Sequence, residues 1–146
     1  MAKPIIKEAS INDSSIIIEM VCAMCDEISL NYKRECIENV VVKSLQLAPC
    51  FLLEKHGKIC GMAGLTLYFN GFSDQATLTE YGFYIRPSHR EYSAFSGLID
   101  KCKEYAKKVN MPLKLNFQAN ASDEFKMKLF KRKGFAVSGI SGEYNV

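Results

Sequence analysis

The sequence predicts an α/β (α+β) fold: a mixed, mainly antiparallel sheet of six to seven strands, a parallel crossover in its second half, and four helices. Three observations carry that class. His56-Gly57-Lys58 divides a long apolar stretch into two arms, as a hairpin turn does, because glycine accepts the positive φ such turns require. Phe95, Leu98, Ile99, Cys102, Tyr105, Ala106 and Val109 repeat at helical spacing, with Asp, Lys and Glu on the opposite face. That helix sits between two strand-like runs inside residues 77–117, and a strand–helix–strand unit implies a parallel crossover beside the antiparallel strands.

The elements follow in order. "PIIKEAS" reads as a first strand, and Ser10-Ile-Asn-Asp13 resembles a capping box, with Ser10 or Asn12 placed to cap a helix. Ile17, Met20, Val21, Met24 and Ile28 give that helix its apolar stripe. A second helix is expected over Glu35–Leu47, ended by Pro49. Two strands flank the His56-Gly57 hairpin, a second turn falls at Asn70–Asp74, and "ATLTEYGFYI" forms the fourth strand. After the long helix, closed by Asn110 and Pro112, come a short strand "PLKLNF" and a basic helix over Ser122–Lys133 with Gly134 as its cap. "FAVSGISGEYNV" is expected to add one or two strands. Residues 1–146 thus read as one domain without repeat or linker.

Composition narrows the function. With 48% apolar and 24% charged residues the chain reads as globular, and a net charge of +3 suits an anionic ligand without arguing for nucleic acid. No apolar run approaches the roughly 18–20 residues of a membrane helix. A cytoplasmic protein is expected, in the host cytoplasm if phage-encoded. Six cysteines, four of them on apolar stripes, read as reduced thiols. "CAMC" at Cys22–Cys25 has half the spacing of a zinc site but no second pair, so core packing is the better reading and no metal is expected.

The chemistry is expected where the fourth strand ends. "IRPSHREYSAFSG" turns from that strand into the long helix, whose first amides and dipole form a natural diphosphate site. Arg90 adds a cationic donor, with Arg86 and His89 close by. Every helix has such an end, and most hold only water.

The arrangement as a whole resembles the GNAT acetyltransferase superfamily, nearest to small bacterial and phage acetyltransferase-like proteins. The Ile85-x-Pro87 step, followed by Arg90, Ser93 and Phe95, is similar to the family's strand end and its Arg/Gln-x-x-Gly-x-Gly/Ala loop. "LFKRKGF" at Leu129–Phe135 resembles a second signature, and "IIKEASINDSSII" and "EKHGKICGMAGL" resemble the family's opening and hairpin. The resemblance implies a GNAT-like fold and acetyl-CoA as co-substrate. The diphosphate would lie over the amides of Glu91, Tyr92, Ser93, Ala94 and Phe95, and the pantetheine would pair with the strand near Phe83 and Ile85. Glu80, at the position of the family's usual carboxylate, would help deprotonate a primary amine acceptor. On strict alternation it shares a face with Gly82 and Tyr84.

Three departures bear on function. Ser93 and Phe95 replace the loop glycines, and Phe130 stands where the family's tyrosine donates a proton. Tyr144 or a water is an alternative donor. If Phe95 fills the diphosphate groove, the enzyme reading fails; if it points into the core, the groove stays open. The alternative is a non-catalytic module of this fold that binds acyl-CoA or a protein partner. A homodimer through terminal strands is compatible with the fold. Arg90→Glu is expected to weaken coenzyme binding and leave folding nearly unchanged, on the premise that Arg90 is exposed.

Overall fold

A computed structural model describes residues 3–116, 122–137 and 144. Its sheet has five strands among these residues, in the order β1-β2-β3-β4-β5. They are β1 (Ile5–Glu8), β2 (Cys50–Lys55), β3 (Lys58–Tyr68), β4 (Thr77–Ile85) and β5 (Leu113–Lys114). The helices are α1 (Ser14–Glu27), α2 (Arg34–Leu47), α3 (Tyr92–Val109) and α4 (Asp123–Arg132). The first four strands pair antiparallel, and β5 joins β4 in parallel after the α3 crossover. The strand count is lower than the six to seven expected. The terminal strands read from "FAVSGISGEYNV" fall largely outside the described residues, as does Phe117 at the end of "PLKLNF".

Local signals act where they were read. Ser10 and Asp13 make a reciprocal capping box around a short 3₁₀ turn that leads into α1. The β2–β3 hairpin closes in two residues, with Lys55 opposite Lys58 and positive φ at both His56 (54°) and Gly57 (74°). That is the turn whose twist matches the flanking strands. Asn110 ends α3 at φ 55°, Ser122 caps α4 by accepting from the Phe125 amide, and Gly134 follows at φ 81°.

The sheet separates two apolar layers. On one face α3 presses Phe95, Leu98, Ile99 and Cys102 against Leu53, Leu65, Leu78, Phe83 and Ile85, with Leu129 of α4 added. On the other face α1 and α2 bring Ile17, Met20, Val21, Ile37 and Val41 onto Leu52, Met62 and Tyr84. The six cysteines are free thiols; five are buried and Cys36 is exposed. Cys22 and Cys25 lie in the α1 layer of the core. No described helix is long and apolar enough to cross a membrane.

Candidate functional site

The site is built by an irregularity in β4. Gly64 pairs with Gly82, but the next residue of β3, Leu65, pairs with Glu80, so Tyr81 is an extra residue bulged from the ladder. A bulge resets alternation. Glu80 therefore shares its face with Leu78, and beyond the bulge with Phe83 and Ile85 in the layer under α3. The expectation that it faces the same way as Gly82 and Tyr84 is corrected, because strict period two holds only without the extra residue. Tyr81 turns to the opposite layer, where its ring lies over Gly64. A Cβ on Gly64 would stand 2.2 Å from Tyr81 Cζ, so glycine is what admits the ring.

At the same level β4 and β5 part. Their pairing runs through Leu78–Leu113 and Thr79–Lys114. Two residues on, the Asn116 amide donates to Glu80 Oε1 at 2.7 Å instead of continuing the ladder. The carboxylate thus occupies the fork between the strands. Its other oxygen, Oε2, is buried and has no hydrogen-bond partner among the described residues. Burial pushes the Glu80 carboxyl up to about 7, against the opposing pull of the Asn116 amide.

The turn after β4 is a 3₁₀ segment, Pro87–His89, followed by Arg90 and the N-cap Glu91. The Glu91 amide donates to the His89 carbonyl, and those of Ala94 and Phe95 donate to the Glu91 carbonyl. Tyr92 and Ser93 precede the first bond of α3, so their amides are the orphan donors of this helix end. The Glu91 side chain makes no cap bond and pairs with Lys55 Nζ at 3.3 Å. Arg132 of α4 lies 5.6 Å from the centre of the Tyr92 ring. Phe95 points inward: 2% exposed, it stacks parallel to Phe83 at 6.2 Å and edge-on to Phe125 at 5.3 Å. The bulky replacement for the loop glycine is core, and the helix end stays open.

Arg90 differs most from expectation. Its side chain is only 15% exposed. Nη1 and Nη2 each donate to one oxygen of Glu27 at 2.6 Å, and Nε donates to the Ile85 carbonyl at 2.8 Å. The guanidinium also lies 5.4 Å from the Tyr84 ring centre. The premise of an exposed arginine is therefore corrected. One lone pair of the Ile85 carbonyl, expected to serve pantetheine, is likewise taken. Sequence reading missed Glu27, which lies 63 residues away on another element; no local pattern marks such a pair.

Phe130 packs against Phe135 at 5.3 Å and brings no hydroxyl to the site. Tyr144 is 89% exposed. The aromatic side chains of β3, β4 and the loop between them divide: Tyr68, Phe69 and Phe72 are exposed, whereas Phe83 and Tyr84 are buried on opposite faces of the sheet. An apolar groove of about 370 Å³ runs between α1 and α2, lined by Val21, Met24, Tyr32, Cys36 and Val40 and reaching Tyr81. Among the described residues no three His, Cys, Asp or Glu side chains cluster as metal ligands would.

The model described as the acetyltransferase (GNAT) family matches residues 23–135. No curated protein matches the chain. Among solved structures, a predicted acetyltransferase with acetyl-CoA from Clostridium acetobutylicum superposes with a TM-score of 0.75 at 14% identity, over 98% of this chain and 96% of that one. AAC(6')-Iy, in complex with a bisubstrate analogue of CoA and an acetylated neamine, reaches 0.73 at 14% identity, with 99% of each chain covered. A ribosomal-protein-alanine N-acetyltransferase from Brucella melitensis biovar Abortus reaches 0.68 at 16% identity, over 99% of this chain and 100% of that one. At such identities the likeness is one of fold.

Proposed function

Because the chain belongs to the acetyltransferase (GNAT) family, we propose that it moves an acetyl group from acetyl-CoA to a primary amine by direct attack. One observation carries this reading. At the fork of β4 and β5 a buried carboxylate has one oxygen held by a backbone amide, the other unmatched, and a pKa raised to about 7. A general base works best when its pKa lies near the operating pH.

The residues fit acetyl-CoA as co-substrate. The orphan amides of Tyr92 and Ser93 and the dipole of α3 would hold the diphosphate, with Phe95 withdrawn into the core. The backbone of β4 near Phe83 would lie along the pantetheine. Glu80 Oε2 takes the proton of the attacking amine, directly or through a water. The nitrogen bonds to the acetyl carbon, the carbon–sulfur bond breaks, and the thiolate leaves without a tyrosine to protonate it.

Phe130 favours a second reading, a module that binds acyl-CoA or a protein partner without turnover. Calorimetric titration with acetyl-CoA and free CoA, followed by thiol release over a panel of amines, separates the two. Micromolar binding with amine-dependent release is expected. Binding without release from any amine would favour the module, and no binding at millimolar ligand would remove the coenzyme from both.

A further inference from the structure

Resting on that reading, we propose that Arg90 is a positioning residue: clamped to Glu27, it holds the β4–α3 turn in the shape that receives a coenzyme diphosphate, and it does not touch the phosphates. A guanidinium has five N–H donors in a fixed fork. Here three are spent, two on Glu27 and one on the Ile85 carbonyl. The two 2.6 Å bonds to the Glu27 carboxylate are short even for a charge-assisted pair. To reach a phosphate, Arg90 would have to give up both bonds to Glu27, whose carboxylate is 19% exposed at the C-terminal end of a helix. A carboxylate is disfavoured there by the dipole as well as by burial. The pair is neutral as a unit, so it also contributes little long-range pull on an anion.

Its placement suits a brace. Glu27 is the last residue of α1, which covers one face of the sheet, whereas the turn at Arg90 leads to α3 on the other. The clamp therefore joins the two layers at the end of β4, two residues before Tyr92. Between the 3₁₀ turn and α3, Arg90 and Glu91 adopt non-helical dihedrals, with ψ 68° and 154°. Among the described residues the one other ion pair on this turn is Lys55–Glu91, whose carboxylate side is exposed. The turn's shape, and with it the direction of the Tyr92 and Ser93 amides, depends on the clamp.

The test is a double-mutant cycle on CoA affinity with Glu27→Gln, Arg90→Gln and the double variant, read by calorimetry alongside thermal melting. A brace requires both partners, so each single change is expected to weaken CoA by about tenfold and the double to weaken it no further. With acetyl-CoA as substrate, KM is expected to rise with kcat within about twofold, a split that general loss of fold would not give. Glu27→Gln binding CoA as tightly as the parent, or more tightly because Arg90 is released, would overturn the clamp. So would additive losses in the double variant, the mark of an independent Arg90–phosphate contact. The parent is titrated first. Its failure to bind CoA overturns the acetyltransferase reading together with the clamp, whereas parental affinity in Glu27→Gln overturns the clamp alone.

Discussion

A buried carboxyl group with one oxygen on an amide and the other unmatched is easier to keep protonated than charged, and Glu80 is such a group. Its pKa rises from 4.5 to about 7. Between those values the folded chain keeps a proton that the unfolded chain has lost, so stability falls as pH rises through that window and levels off above it. The loss is on the order of 3 kcal/mol. Urea unfolding at pH 5 and pH 8 is expected to show this decline, and Glu80→Gln to abolish it. The same titration sets activity with the opposite sign, since only the ionised form accepts a proton: kcat/KM is expected to climb with pH and to level off above about 7. Glu80→Gln is expected to lower kcat by about 100-fold while leaving coenzyme affinity within about twofold. Parental turnover in that variant would remove Glu80 from the mechanism. At Arg90 the expectation reverses the one drawn from sequence. Arg90→Glu places two carboxylates together in a half-buried spot, and the urea midpoint is expected to drop by the equivalent of about 3 kcal/mol.

Among the elements, β4 decides most. Its bulge turns Glu80 toward α3 and Tyr81 toward α1 and α2, and Gly64 makes room for the displaced ring. Gly64→Ala is expected to cost about 2 kcal/mol, because Tyr81 is packed and cannot simply swing aside. It is also expected to lower turnover through the shifted Glu80; denaturation and rate measurements on one preparation would read both. The helices, the two-residue hairpin, the antiparallel meander and the parallel crossover were all legible, since periodicity and turn chemistry are local. The bulge was not. "TLTEYGFYI" alternates as an unbroken strand would, and the extra residue is visible only once β3 is laid beside it. Phe95 was legible in kind, its place on the α3 stripe agreeing with its burial. The Arg90–Glu27 pair and the Asn116–Glu80 bond join elements distant in the chain, which spacing cannot encode.

For the molecule as a whole, a ligand that binds only the folded chain must raise its stability by mass action. Acetyl-CoA at 100 times its dissociation constant is expected to add about 2.7 kcal/mol, read as a higher melting temperature. Acetyl-CoA that leaves the melting temperature unchanged at saturating concentration would contradict a preformed site. Chains at 14–16% identity share this architecture, so the fold tolerates exchange of most of its residues. The distribution of thiols has a practical consequence. All six cysteines lie in described residues and Cys36 alone is exposed, on the wall of the groove between α1 and α2. Burial pushes the Cys50 thiol up to about 12 and raises that of Cys102 further, which withholds their reactive thiolates. Native protein should therefore take up one maleimide per chain and denatured protein six. A dye attached at Cys36 would sit on the wall of that groove, so the chain carries its own attachment point for a fluorescent reporter of whatever occupies it.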